Sequence, residues 1–432
     1  MTTGGRQRRR LTATETDLGV VRQRAYLVSV IAGDITEHEA DLSIDELGQL
    51  TLTAGSDPAG QAVLHRDRID PATFIGKGQA QRLQRETTAA DVDVVVFDNA
   101  LSPVQQRNLQ EIFGCDVVDR TAVILDIFAQ HATSKAGMLQ VELAQLRYRL
   151  PRLRGRGIAM SRLAGGIGTR GPGETKLETD RRRISTRITK LEKELAHIGK
   201  VRRTQRKART NTDATAVALV GYTNAGKSTL LNALTDAGTL TEDQLFSTVD
   251  PTVRRLELAS GTALISDTVG FVRNLPHELV EAFRSTLEQI SESDVLLHIV
   301  DASDPEPERQ IAAVHEVLDE IGALGLPELI IFNKTDVAPA PVVSRLVELH
   351  QGSIAVSARE GSGLDLLRHR LTEVRRADHV VAAFVVPYEH GDVVAGLHRD
   401  GEVLEELFEE EATHLKVRGP LSSLRSYDEY RI

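Results

Sequence analysis

The chain has 432 residues, a net charge of −10 and one cysteine, Cys115. This length predicts two to four domains, each able to bury its own core. A lone cysteine excludes a disulfide framework, no Cys/His spacing suits zinc, and no apolar run reaches the roughly eighteen residues of a membrane span. We therefore expect a cytoplasmic protein without membrane insertion, in which Cys115 is a structural strand residue.

The N-terminal part alternates strand-like and helix-like signals. Ala25–Ile31 and Val92–Phe97 are typical of buried strands, Ser43–Glu46 of a capping box that opens a helix, and Ser102–Pro103 of the start of another helix. Such alternation predicts a small α/β unit. Ile75–Gly78 resembles a phosphate loop, but neither Ser nor Thr follows its lysine, so no second nucleotide site is predicted there.

The next segment predicts a basic antiparallel hairpin of two helices. Leucine and isoleucine recur at helical spacing on two stretches, as expected for two facing seams. These residues are Leu139, Leu143, Leu146 and Leu150 on the first stretch, and Leu177, Ile184, Ile188, Leu191, Leu195 and Ile198 on the second. From Arg147 to Thr210 the chain has 20 Lys or Arg against 5 Asp or Glu, a local charge of +15. A segregated basic block on an acidic protein predicts a polyanionic partner such as RNA.

Residues 151–173, which connect the two helices, contain seven glycines and five arginines. A loop with so little apolar material cannot pack a core and is expected to be mobile in isolation. Its backbone and guanidinium groups suit close contact with phosphates and stacked bases, so we interpret it as a probe into folded RNA. The alternative is a disordered linker.

The stretch Gly221–Ser228 has the phosphate-loop pattern G-x-x-x-x-G-K-[ST], between a strand-like run, Ala216–Val220, and a helix-like run. Its glycines allow backbone N–H groups to turn toward the β-phosphate. Lys227 is expected to reach the β- and γ-phosphates, and the Ser228 hydroxyl to bind Mg²⁺. The pattern predicts a nucleoside triphosphate site.

Three further motifs follow at predicted strand ends, in the order in which a doubly wound sheet delivers them. Asp267 ends an apolar run and is expected to hold magnesium through water, while the N–H of Gly270 faces the γ-phosphate. Asn333–Asp336 fits N-K-x-D, and Ser357–Arg359 is expected to close over the guanine edge. The carboxylate of Asp336 can accept hydrogen bonds from guanine N1–H and N2–H₂, whereas adenine offers no such pair. We therefore expect GTP rather than ATP.

Two positions decide how hydrolysis would proceed. Phe271 stands where Ras-like proteins place the glutamine that orients the attacking water, so intrinsic hydrolysis is expected to be slow and to need outside help. Asn224 has two interpretations. It resembles the asparagine that helps to hold a monovalent cation, K⁺, in potassium-dependent GTPases, or it is a residue that tolerates a turn.

The polar segment Phe246–Arg255 is predicted to be the first switch, ordered when the γ-phosphate is present. A threonine in it is expected to bind Mg²⁺, and Thr248 and Thr252 are the two candidates. Beyond the nucleotide motifs, Phe384–Pro387 is strand-like and Glu402–Glu411 reads as an acidic helix, which together predict a small α+β domain.

The predicted organisation is α/β throughout, in five segments. These are a disordered N-terminus (1–22), an α/β subdomain (23–133), the basic antiparallel coiled-coil hairpin (134–212), a GTPase domain (213–377) and a small C-terminal domain (378–432).

This combination resembles the HflX family of translational GTPases over nearly the full length of the chain. The resemblance rests on the α/β unit with Ile75–Gly78, the Arg/Gly loop ending in Gly171–Glu174, the basic helix after it, and Gly221–Ser228. It implies a Ras-like doubly wound P-loop domain that hydrolyses GTP to GDP. It favours Thr248 over Thr252, and so implies Mg²⁺ on Ser228 and Thr248, with Asp267 acting through water. The catalytic residues that we expect are Lys227, Thr248, Gly270 and Asn224.

The family resemblance also implies which residues contact GTP. They are Gly221, Tyr222, Thr223, Asn224, Ala225, Gly226, Lys227 and Ser228, then Phe246, Ser247, Thr248, Val249 and Asp250, then Asp267, Thr268, Val269 and Gly270, then Asn333, Lys334, Thr335 and Asp336, and finally Ser357, Ala358 and Arg359.

The partners implied by the resemblance are the large ribosomal subunit with its RNA and the 70S-type ribosome, bound by a monomer. The glycine-rich tip would lie near the peptidyl transferase centre, and stalled ribosomes would be separated into subunits under stress. A second hypothesis is an RNA-binding or assembly scaffold that uses nucleotide as a conformational ligand. A third, an ATP-driven RNA remodeller, is disfavoured by Asp336.

Overall fold

The computed structural model describes residues 22–33, 36–153, 172–209, 214–235, 245–246, 252–259, 261–273, 279, 283, 287, 289–377, 379–409 and 411–432. The chain forms two compact units, Met1–Arg120 and Thr121–Ile432. Within the described residues, no helix combines the length and the apolar character needed to cross a bilayer. The predictions of a disordered N-terminus and of a mobile tip fall mainly on residues outside these ranges.

The first unit is a four-stranded parallel sheet with helices packed on it. Its elements are β1 (Gln23–Ile31), α1 (Glu37–Thr53), β2 (Ser56–His65), α2 (Lys77–Ala89), β3 (Val94–Phe97), α3 (Pro103–Phe113) and β4 (Asp116–Asp119). The strand order is β2-β1-β3-β4, and each pair is parallel. The fold class predicted for this part is confirmed. Cys115 is partly buried and packs against the unit's apolar core beside β4.

The two predicted helix starts in this unit have different outcomes. Ser102 caps α3 and forms a full capping box with Gln105, as expected. The prediction at Ser43 is wrong, because the capping box of α1 is formed by Thr36 and Glu39. Ser43 lies inside the helix, where its buried hydroxyl donates a hydrogen bond of 2.7 Å to Asp98. Helix α1 therefore begins at Glu37, before Ser43, and the Ser43 side chain instead contacts Asp98.

Three helices open the second unit: α4 (Arg120–His131), α5 (Lys135–Arg152) and α6 (Pro172–Arg209). The predicted seam joins α5 and α6. Its buried members are Leu139, Leu143 and Leu191, flanked by the half-buried Leu146, Ile188, Leu195 and Ile198. Ion pairs close both sides of the seam, from Arg187 to Glu142 at 2.6 Å and from Arg147 to Glu192 at 2.9 Å. The helical hairpin is confirmed.

A six-stranded sheet follows, and the described nucleotide motifs lie at the ends of its strands. Its elements are β5 (Thr215–Gly221), α7 (Lys227–Thr235), β6 (Val253–Leu258), β7 (Gly261–Asp267), β8 (Val295–Asp301), α8 (Pro307–Glu320), β9 (Glu328–Asn333), α9 (Ala340–Leu349), β10 (Ile354–Ala355) and α10 (Leu364–Ala377). The order is β10-β9-β8-β5-β7-β6. Only the β6–β7 pair among these is antiparallel. This is the predicted doubly wound arrangement, with β5 at its centre.

The chain ends in a small α+β domain, as predicted. Its elements are β11 (His379–Pro387), α11 (Gly391–Asp400), β12 (Glu402–Phe408), β13 (Ala412–Pro420) and α12 (Leu421–Leu424). The acidic helix expected over Glu402–Glu411 is wrong, since this run contains the edge strand β12. It pairs antiparallel with β13 and forms cross-strand ion pairs, Glu402 with Arg418 at 3.4 Å and Glu405 with Lys416 at 3.3 Å. The backbone pairing with β13 and the packing of Val403 on the domain's core override the helical preference of glutamate, and the exposed ion pairs add little.

Leu191→Ala is expected to loosen the hairpin. The side chain is 0 % exposed, and truncation of a packed leucine costs about 2–5 kcal/mol. Amide exchange between residues 180 and 200 should therefore accelerate by at least about tenfold in a hydrogen-exchange measurement. Val201→Ala is the matched control, because Val201 lies on the same helix and is 43 % exposed. Equal exchange in the two variants would contradict the seam.

Candidate functional site

The turn between β5 and α7 has a backbone that few residue types permit. Gly221, Asn224 and Gly226 have φ angles of +151°, +58° and +92°. Glycine adopts positive φ freely, and asparagine does so more readily than most residues. A Cβ on Gly226 would overlap the Nδ2 atom of Asn333. The glycines are therefore required by geometry, and Asn224 meets the requirement of the turn interpretation.

Lys227 is buried at the base of this loop. Its Nζ donates hydrogen bonds to the carbonyls of Gly221, at 3.1 Å, and Tyr222, at 2.8 Å. Burial lowers the pKa of Lys227 to about 8, and the nearby carboxylate of Asp267 partly opposes this shift. A buried amine with a depressed pKa in a cleft is typical of a functional site. The loop thus holds a cation beneath the position expected for the phosphates.

Ser228 and Asp267 meet across neighbouring strand ends. Pairing of β5 with β7 sets Asp267 beside Leu219. The Ser228 hydroxyl then donates a hydrogen bond of 2.6 Å to Oδ2 of Asp267, and the N–H of Thr268 donates to Oδ1 at 3.0 Å. A hydroxyl and a carboxylate are the hard oxygen donors that Mg²⁺ prefers. The pair predicted for magnesium is therefore brought together, and the donor set fits this ion.

The residues after Asp267 run along the phosphate loop. The N–H of Thr223 donates to the carbonyl of Phe271 at 2.7 Å, and the N–H of Phe271 donates to the carbonyl of Gly221 at 3.1 Å. Further on, the backbone N–H of Arg273 donates to the Tyr222 hydroxyl at 2.7 Å. Gly270 and the buried Val269 therefore lie directly against the loop.

One amide side chain joins the phosphate loop to the last motif. Asn333 ends β9 and is 2 % exposed. Its Nδ2 donates to the carbonyl of Ala225 at 2.9 Å, and its Oδ1 accepts from the N–H of Ala358 at 3.0 Å. Its neighbour Lys334 pairs with Asp301, at the end of β8, at 2.7 Å. Three strand ends and two loops are thus tied together.

Asp336 is exposed to the cavity and oriented by a partner. The Ser357 hydroxyl donates a hydrogen bond of 2.6 Å to Oδ1 of Asp336. This bond is the main cause of the lowered pKa of Asp336, and Arg359 and Lys334 contribute to it. Among the described residues, no other side chain donates a hydrogen bond to the Asp336 carboxylate, so its second oxygen can meet a ligand. The backbone N–H of Thr335 donates to the carbonyl of Val356 at 3.3 Å, which completes the contacts of the motif.

A cavity of about 540 Å³ opens between these motifs. Its lining contains seven predicted residues, Asn224, Gly226, Asn333, Lys334, Asp336, Ala358 and Arg359, together with Thr229, Ser303 and Val337. Thr229, Ser303 and Val337 were not predicted. Ser303 follows the carboxyl end of β8, and strand-end position is the signal that could have identified it. Thr229 and Val337 directly follow predicted motifs.

The first switch is described only in part. Ser247, Thr248, Val249 and Asp250 lie outside the described residues, so their roles stay predictions. The carbonyl of Thr252 accepts a hydrogen bond of 2.9 Å from the N–H of Asp267. Phe246, with a φ of +58°, is buried at 2 % exposure.

A central parallel sheet, a phosphate loop, a hydroxyl–carboxylate pair and a guanine-type cavity define a P-loop GTPase. Family models described as a GTP-binding GTPase N-terminal region, a GTP-binding GTPase middle region and a 50S ribosome-binding GTPase match residues 41–129, 131–209 and 216–334. The three matches follow one another along the chain and cover most of it.

Full-length relatives are also similar. The GTPase HflX of Lacrimispora saccharolytica is 45 % identical over 94 % of this chain and 95 % of its own. That of Escherichia coli is 40 % identical over 93 % and 95 %. A GTP-binding protein of Sulfolobus solfataricus, solved with GDP, aligns with a TM-score of 0.42 at 24 % identity over 82 % of this chain and 98 % of that one. The chain belongs to the HflX family of GTPases, and it therefore binds and hydrolyses GTP.

Asp336→Asn is expected to exchange the base preference. The amide that replaces the carboxylate cannot accept from both guanine donors but can donate to the 2-carbonyl of xanthine. GTP affinity should fall by roughly 10²–10⁴-fold, and xanthosine triphosphate should become the better ligand. Competition binding measures both.

Ser357→Ala is the matched control for this change, because it keeps the carboxylate and removes only its 2.6 Å hydrogen bond. It should reduce GTP affinity by about tenfold without changing base preference. An unchanged preference in Asp336→Asn would contradict the assignment of Asp336 to the base.

Proposed function

We propose that this GTPase binds the large ribosomal subunit and the 70S-type ribosome through its hairpin and separates stalled or idle ribosomes into subunits under stress. One observation carries the proposal: helix α4, which leads into the basic hairpin, contacts the predicted switch through Phe128. The position of α4 would then depend on the bound nucleotide, and it would also determine whether the hairpin can contact RNA.

The hairpin presents positively charged side chains to solvent. Arg181, Arg182, Lys193 and Lys200 are exposed on α6. The seam-flanking Arg187 is instead neutralised by Glu142. Exposed cations in a row on a long helix attract phosphate backbones and release counterions on binding. This charge pattern favours ribosomal RNA as the surface that the hairpin meets.

Phe128 is the link between hairpin and nucleotide. Its ring is 1 % exposed and contacts two others edge-on, with ring centroids 4.7 Å from those of Phe246 and of Phe283. Phe246 opens the predicted first switch, and Phe283 lies beyond the motif Asp267–Gly270 along the chain. Positive φ in a bulky residue is strained, and the φ of Phe246 is +58°. A packed aromatic cluster with a strained member can adopt two arrangements. In this proposal, bound GTP favours the arrangement in which α4 holds the hairpin ready to dock on the ribosome.

The hydrolysis site uses the residues at the loop. Lys227 and the N–H of Gly270 stabilise charge on the phosphates, and Ser228, Thr248 and Asp267 would hold Mg²⁺, directly for the first two and through water for Asp267. When bound, Mg²⁺ neutralises charge on the β- and γ-phosphates. Because Phe271 cannot orient water, hydrolysis by the isolated protein is slow, and contact with the subunit accelerates it.

The alternative is a scaffold for RNA or ribosome assembly in which nucleotide acts mainly as a conformational ligand. Both candidates use the basic hairpin, and they differ in whether loss of the Lys227 amine stops subunit separation.

The experiment is sedimentation of intact 70S-type ribosomes with the protein and GTP or a non-hydrolysable analogue. Wild type should shift ribosomes to free subunits with GTP bound, and Lys227→Ala should not. Separation by Lys227→Ala at the wild-type level would favour the scaffold. Binding without separation by wild type would sink the splitting proposal.

Phe128→Leu tests the link itself, because leucine keeps an apolar side chain and removes both ring contacts. We expect GTP affinity within about threefold of wild type and subunit separation reduced by about tenfold or more. The control Arg181→Glu with Arg182→Glu should weaken ribosome binding and its salt dependence. Arg345→Glu, an exposed position on α9, should change neither.

Asn224 provides a test of the monovalent cation. If its side chain helps to hold K⁺ beside the phosphates, replacing KCl by NaCl should slow GTP hydrolysis by about tenfold, and Asn224→Ala should remove the difference. Equal rates in both salts would leave Asn224 with the turn role alone.

A further inference from the structure

The site lacks the glutamine that positions the attacking water in Ras-like GTPases, and Phe271, which stands in its place, cannot take over that role. The backbone N–H and carbonyl of Phe271 both form hydrogen bonds with the phosphate loop, and its ring is 1 % exposed. A buried phenyl group offers neither a donor nor an acceptor. The reaction therefore needs a polar group from a different position.

Among the described residues, Thr223 is a polar side chain that lies next to Gly270, the residue before Phe271. A Cβ added to Gly270 would lie 2.8 Å from the Cγ2 of Thr223 and 3.1 Å from Nζ of Lys227. The Thr223 side chain thus lies beside the glycine whose N–H is expected to face the γ-phosphate. The Lys227 amine is within the same few ångströms.

The fold of the described residues offers the Thr223 hydroxyl no hydrogen-bond partner. The residue is 5 % exposed, and among the described residues its buried Oγ1 has no hydrogen-bond partner. By contrast, the hydroxyl of Thr268, one strand away, donates to the carbonyl of Leu219 at 2.6 Å. A buried hydroxyl without a hydrogen bond is unfavourable, and such a group in a native fold calls for an explanation.

We propose that the Thr223 hydroxyl positions the attacking water in place of the missing glutamine. A hydroxyl accepts and donates at once, so it accepts a hydrogen bond from the water and donates one to a γ-phosphate oxygen. The water oxygen forms a bond to the γ-phosphorus, and the bond from that phosphorus to the β–γ bridging oxygen breaks with its electron pair. One water proton passes to a γ-phosphate oxygen, which gives GDP and inorganic phosphate, and Thr223 is unchanged.

This inference rests on GTP hydrolysis, which family membership shows, and not on the ribosome. It is tested without subunits, by single-turnover GTP hydrolysis of the full-length protein. Thr223→Val replaces the hydroxyl by a methyl of the same shape, and Thr223→Ser keeps the hydroxyl. GDP and a non-hydrolysable GTP analogue report binding in each variant.

The expected result is a hydrolysis rate about 10- to 100-fold lower in Thr223→Val, with Thr223→Ser within about threefold of wild type and analogue affinity within about threefold throughout. A wild-type rate in Thr223→Val overturns the proposal, and so does a Thr223→Ser rate as low as that of Thr223→Val. Should Thr223→Val fail to bind GDP, Thr223→Ala takes its place in the same comparison.

Discussion

The nucleotide site depends on one buried amide. Asn333 donates to the carbonyl of Ala225 and accepts from the N–H of Ala358, so it holds the phosphate loop against the segment that closes over the base. Both bonds form within the protein itself, in a buried environment where an unpaired amide would cost about 1–3 kcal/mol. These two bonds hold the phosphate loop and the segment at Ala358 in fixed relation to each other, and the missing side chain of Gly226 is what allows the close approach.

The rest of the site follows from strand order. Because β5 lies between β7 and β8, its loop meets Asp267 on one side and Asp301 on the other. Parallel strands deliver their carboxyl ends to one edge, where ligands of such sheets bind. The same edge carries Phe271, which is bonded to the loop. The phosphate loop and the segment around Phe271 are consequently in direct contact, without an intervening element.

Much of this could be predicted because each motif is local. A glycine-rich turn, an Asp after an apolar strand and N-K-x-D each combine a backbone need with a chemical one over a few residues. The errors arose where a local signal competed with a distant partner. Ser43 has capping-box spacing, but Asp98 claims its hydroxyl. The glutamates of β12 favour a helix, but Lys416 and Arg418 pair with them across the sheet. Ser303 was missed because its one signal is its position just after the end of β8, and it belongs to no motif.

The central claim is that this protein hydrolyses GTP slowly on its own and much faster in contact with the large ribosomal subunit. The most direct test is steady-state GTP turnover, with Mg²⁺, in the presence and absence of purified large subunits. We predict slow turnover by the isolated protein and a many-fold rise with subunits, on the order of tenfold or more. Equal turnover in both conditions would contradict the account.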